Sequence, residues 1–175
     1  MTNVSNLHAI QTPVSHGTVQ HYQPELRDLE QTPYKMSDLS TGAQLIVWGI
    51  RHWLYIRRFP GRMGNQMFEA HDRIKVPEAA EYMEECMALL ASAAMRSVII
   101  EPPCQAHLSC DELTLLHTFR ALQSGKPEVA HKSIARLMHG RIGRVFCRSA
   151  SDYALALKSV GFNLAKISQL KVVQE

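Results

Sequence analysis

The chain has 175 residues, a formal net charge of +3 and a hydrophobic fraction of 46%, which fits one domain of ordinary size and excludes wholesale disorder. The longest apolar run, residues 43–56, is interrupted by Gln44, Arg51 and His52, so it is too short and too broken to span a bilayer. No basic, apolar leader opens the sequence. The four cysteines Cys86, Cys104, Cys110 and Cys147 are therefore expected as thiols in the cytoplasm.

Residues 1–37 hold Pro13, Pro24 and Pro33, few large apolar side chains and no sustained period. Such a stretch buries too little surface to offset its ordering entropy, and it is expected as a flexible N-terminal tail. A single turn of helix is expected around 24–29, where Leu26 and Leu29 would dock on the body. Residues 38–175 form the helical domain.

The first helix starts near Ser40 and Thr41 and runs to Phe59. It is apolar nearly all round, with Leu45, Ile46, Val47, Trp48, Ile50, Trp53, Leu54, Tyr55 and Ile56. A helix of that kind is either central in its own fold or shared with a partner. Arg57 and Arg58 suit the negative end of its dipole. Residues 62–75 read as a polar connection. A second helix opens at Val76 and Pro77, with Glu78, Glu81 and Glu85 on a wet face and Tyr82, Met83, Cys86, Met87 and Leu90 on a dry one. Val98-Ile99-Ile100 is either an extended segment or the end of that helix, stopped by Pro102 and Pro103.

Ser109-x-x-Glu112 is a capping box that opens the third helix, which ends at Gln123-Ser124-Gly125. A fourth helix runs from Pro127 to His139 and is closed by Gly140. A last one spans Ser151 to Val160, with Gly161 just past its end, and Leu164, Ile167 and Leu170 continue as an element of unassigned type. The fold class is all-α, a bundle of about five helices behind the tail.

Four groups of residues carry candidate chemistry. Cys104-x-x-His107-x-x-Cys110 offers two thiolates and an imidazole to a zinc or iron ion, with Cys86, His117 or Cys147 as a fourth ligand. The alternative is two buried cysteines beside a surface histidine. Residues 120–148 hold seven Lys or Arg against the single acid Glu128. Lys132 and Arg136 share a face of the fourth helix, and Arg141 and Arg144 extend it, in a pattern that resembles a helix-turn-helix and would suit nucleic-acid phosphates. The alternative is a solvated basic surface. Arg51, inside the most apolar helix, must either pair with Glu81, Glu84, Asp111 or another acid across the bundle, or hold an anionic ligand. Trp48, Trp53 and Tyr55 form the candidate interface. The two indoles are five residues apart and lie on different faces, so at least one is expected to meet another helix or another subunit.

Trp48-Gly49-Ile50-Arg51-x-Trp53, with the later run Cys110-Asp111-Glu112-Leu113, Leu115-Leu116 and Leu122-Gln123, resembles a group of small bacterial proteins of about this length. They share a Trp- and Arg-bearing first helix, a Pro- and Cys-containing loop and a capped third helix. The resemblance spans residues 40–162. It implies a helical, bacterial, intracellular protein and carries no activity with it. With no catalytic constellation recognised, the sequence favours a non-enzymatic module that associates with itself or with another protein. Nucleic-acid binding stands second and metal binding third.

Overall fold

The computed structural model describes residues 19–21, 31–59 and 66–164. Within them the order is β1 (Val19–His21), β2 (Gln31–Lys35), a 3-10 turn (Met36–Asp38), α1 (Thr41–Arg58), α2 (Gln66–Arg73), α3 (Glu78–Ala93), β3 (Val98–Ile100), β4 (His107–Ser109), α4 (Cys110–Gln123), α5 (Pro127–Ile134) and α6 (Gly140–Ser159). The described part is mostly helical, as the sequence predicts.

The helix ends follow local chemistry. Ser40 caps α1 by accepting from the Ala43 N–H at 3.4 Å, within the Ser40–Thr41 start expected from the sequence. Ser109 and Glu112 close the expected capping box on α4. Gly125 and Gly161 take positive φ, +69° and +90°, and both finish a helix in the same way. The Gly125 and Lys126 N–H groups donate to Leu122 and Ala121, and those of Gly161 and Phe162 donate to Lys158 and Leu157. This paired turn satisfies carbonyls that the helix leaves open, and its left-handed residue favours glycine.

Helix α6 is the backbone of the bundle and lies against α3 and α4. Gly143, Phe146, Cys147, Ala150, Tyr153, Ala154 and Leu157 are buried at steps of three and one, a helical stripe, with Ser149 buried beside it. Phe119 of α4 meets Phe146 and Tyr153 edge-on, with centroids 6.2 and 5.5 Å apart. Fully burying side chains such as Phe146 or Leu90 contributes about 1.5–3 kcal/mol each.

Several boundaries differ from expectation. The fourth helix stops at Ile134, because the following turn dips inward to bury Leu137 and Met138, and the Leu137 carbonyl accepts from Met95 on the far side of the core. Gly140 opens the last helix instead of closing the previous one, so α6 begins eleven residues before Ser151. The supposed polar connection over 62–75 contains α2, which buries Met67 and His71. Val98–Ile100 is extended and pairs in parallel with β1. β2 pairs antiparallel with β4, Gln31 opposite Ser109 and Lys35 opposite His107. Thr32 reinforces that pair by donating its hydroxyl to the Leu108 carbonyl at 2.9 Å.

Residues 31–37, assigned from sequence to the tail, thus attach to the entrance of α4. The rest of residues 1–37 beyond β1, including the turn expected at 24–29, lies outside the described residues, as do Ile167 and Leu170. Leu164 is buried. Gly42 makes room for it: a Cβ at Gly42 would lie 3.0 Å from Phe162 and 3.2 Å from Leu164. No helix among the described residues is long and apolar enough to cross a membrane.

Candidate functional site

Arg51 projects from the middle of α1 and is buried. Its Nε donates to Glu112 Oε1 at 2.7 Å and its Nη2 to Glu112 Oε2 at 2.9 Å. The remaining donors go to the carbonyls of Pro102, Gln105 and His107. Glu112 in turn accepts from the Glu101 and Ser109 N–H groups. Both side chains are buried. Of the two alternatives for Arg51, the side chain forms the ion pair, and the acid is the capping residue of α4. Asp111 repeats the device beside it, accepting from Arg96 and from the Ile99 N–H. A buried charge pair persists only when its hydrogen-bonding capacity is met, and here it is met on both sides.

The same network fixes the fate of the cysteine loop. The Arg51 bonds draw the backbone of residues 102–107 toward α1. Cys104 and Cys110 are exposed, no disulfide joins the four cysteines, and His107 opens the extended β4. Among the described residues no three His, Cys, Asp or Glu side chains are placed to share a metal ion. The three-residue step would converge in a compact knuckle, but here it crosses from a turn through a strand into a helix. Cys86 and Cys147 are buried, and burial pushes the Cys147 thiol up to about 11.

The two indoles divide as their spacing predicts. Trp53 is enclosed by the chain's own fold. Its Nε1–H donates to Glu84 Oε2 at 2.6 Å, and Arg57, paired with the same carboxylate, lies over its ring at 4.7 Å. The expectation that Trp53 forms part of an interface is corrected accordingly.

Trp48 is only half-buried, and it begins a row of rings. It stacks on His52 with centroids 4.4 Å apart; His52 lies 6.5 Å from Tyr55, and Tyr55 5.0 Å from Phe59. Positions 48, 52, 55 and 59 step by four, three and four, which holds one face of a helix. Tyr55 is half-buried and Phe59 is 39% exposed. The sequence reading missed His52 and Phe59, although this spacing marks them.

His52 sits in the row with one nitrogen engaged. Its Nε2–H donates to Gln66 Oε1 at 2.9 Å, and its Nδ1 is buried without a hydrogen-bond partner. Among the described residues it is the only buried side-chain polar atom in that condition. Leaving such an acceptor unmet costs roughly 1–3 kcal/mol. The neighbouring positions on this face, Thr41, Gln44 and Leu45, carry no charge.

The basic candidates lie elsewhere. Lys132 is exposed on α5 and Arg136 in the turn after it, while Arg141 and Arg144 are exposed on the first turns of α6. The single helix face expected for Lys132 and Arg136 is broken where α5 stops at Ile134. Arg136 and Arg120 both bear on His117, whose proton affinity is lowered by burial first and by these two cations second.

A third cluster of titratable groups is sealed in the core. His71 donates from Nδ1 to the Met67 carbonyl at 2.6 Å and accepts at Nε2 from the Tyr153 hydroxyl at 3.0 Å. Burial lowers the His71 pKa and raises that of Tyr153. Both residues are fully enclosed, so no substrate reaches them.

Fold and surfaces together define an all-helical bundle with an aromatic ridge on its first helix and a basic ridge around its fifth and sixth. No family model, curated protein or solved structure matches the chain.

Proposed function

We propose that this chain is a non-enzymatic, cytoplasmic interaction module with a regulatory role, and that two copies associate through the aromatic row Trp48–His52–Tyr55–Phe59. The observation that supports the reading is the row itself. Four rings lie on one helix face, three of them partly open to solvent, and rings of this type dominate the energetic centres of protein interfaces.

The charge pattern favours a second copy as the occupant. A two-fold contact places the same patch on both sides, so the patch must tolerate itself. An uncharged centre does so without like-charge repulsion. Arg58 lies near the Phe59 end, 5.9 Å from that ring, and an antiparallel pairing of two α1 helices would carry the two arginines to opposite ends.

Sedimentation velocity of the wild-type chain and of a Trp48→Ser, Tyr55→Ser variant tests the reading. A wild-type dimer that becomes a folded monomer in the variant supports it. A wild-type monomer at every concentration, or a dimer indifferent to the two substitutions, refutes it.

A further inference from the structure

The second ridge is independent of the first. Lys132, Arg136, Arg141, Arg144 and Arg148 are all exposed, and among the described residues none of them forms an ion pair. The ion pairs found there use Arg51, Arg57, Arg73 and Arg96 instead. Arg141, Arg144 and Arg148 step by three and four along α6, so they form one stripe with neighbours about 5–6 Å apart at Cβ. Lys132 and Arg136 lead into the turn from which α6 starts, so the two arms meet there. The only acid between residues 120 and 148 is Glu128.

Arg141 and Arg144 also stand in the first turns of a 20-residue helix whose opening turn holds no acid. Arg141, in the first turn, opposes the helix dipole, an effect that fades by the second turn where Arg144 lies. Of the other long helices, α3 begins with Glu78 and Glu81 and α4 with Asp111 and Glu112, while α1, like α6, has no acid in its first turn but also no cation there. The concentration of uncompensated positive charge therefore does not serve the stability of the helix that carries it.

We propose that the ridge formed by α5, the following turn and the first half of α6 binds the phosphate backbone of duplex DNA without reading its sequence. A dense line of phosphates is the complement of a line of unpaired guanidinium groups. The exposed side chains that accompany the cations include the apolar Val129, Ile142 and Val145, which make no hydrogen bonds to base edges.

Fluorescence anisotropy with a short mixed-sequence duplex, from about 50 to about 200 mM salt, tests the proposal. The expected result is binding whose log–log salt slope approaches −4.5 for five phosphate contacts, at about −0.9 per contact. Duplexes of different sequence should bind alike. An Arg141→Glu, Arg144→Glu variant should reduce the slope by about two and weaken binding at least tenfold at the low-salt end, with its far-UV spectrum unchanged. An Arg141→Gln, Arg144→Gln variant serves the same test should charge reversal disturb folding. Absence of salt-dependent binding, binding insensitive to both variants, or capture by phosphatidylserine vesicles without binding to DNA would each overturn it.

Discussion

Arg51 and Glu112 are 61 positions apart in sequence and meet face to face, both carboxylate oxygens engaged by one guanidinium at 2.7 and 2.9 Å. Glu112 also caps α4, so one carboxylate starts a helix and ties it to α1. Arg51 binds three carbonyls of the intervening loop as well. The pair therefore joins α1, the 102–107 loop and α4 at one point.

Removing one partner should be severe. Arg51→Met leaves the buried Glu112 carboxylate without its countercharge and takes the guanidinium away from three backbone carbonyls, and the expected loss is about 3–5 kcal/mol. Arg51→Lys should also be destabilised, because one ammonium cannot reproduce the planar fork. Urea unfolding followed by tryptophan fluorescence measures both; a loss below about 1 kcal/mol for Arg51→Met would mean the pair is not the tie described here.

Stability should fall on acidification through the histidine range. His71 and His117 are both held below their ordinary pKa in the folded chain, so the unfolded chain takes up protons first as pH drops. Their contribution is complete above about pH 6.5 and is lost as pH falls toward the folded values. Urea midpoints at a series of pH values should decline below that point, and His117→Gln should flatten part of the decline.

The thiols should separate into two classes. Cys104 and Cys110 are exposed, while Cys86 and Cys147 are buried with thiols raised by desolvation. Reactivity follows thiolate fraction and access. A disulfide reagent should therefore titrate two thiols in the native chain and four after unfolding. Four rapid thiols under native conditions would contradict the packing of α3 on α6.

Gln123 is expected to control the segment after α6. Its amide donates to the Ala154 and Phe162 carbonyls and accepts from the Leu164 N–H. Gln123→Leu strands those groups at a cost of roughly 1–3 kcal/mol. Hydrogen exchange at the Leu164 amide should accelerate in that variant while exchange in α3 stays slow.

How much of this was visible in the sequence depends on what kind of signal each part leaves. Capping boxes and glycine stops are local, so the start of α4 and the ends of α4 and α6 are read directly from Ser109, Glu112, Gly125 and Gly161. The first half of α6 was hidden because Gly143, Cys147 and Ala150 are small and weakly apolar. They belong there for packing: a Cβ on Gly143 would come within 3.3 Å of the Met138 carbonyl. Gly140 misled for a related reason. A glycine at positive φ, here +63°, reads the same whether it closes one helix or opens the next. Arg51 announced that it needed a partner, but which acid it met is a tertiary fact. The aromatic row was legible at positions 48, 52, 55 and 59, yet reading Trp53 for its size rather than its phase placed the interface partly on the wrong face.

The direct measurement for the association claim is acrylamide quenching of Trp48 in a Trp53→Phe variant, followed across protein concentration. The account predicts that Trp48 is readily quenched in dilute solution and becomes shielded, with a blue-shifted emission, as copies associate. Quenching that stays the same from the most dilute to the most concentrated sample would contradict it.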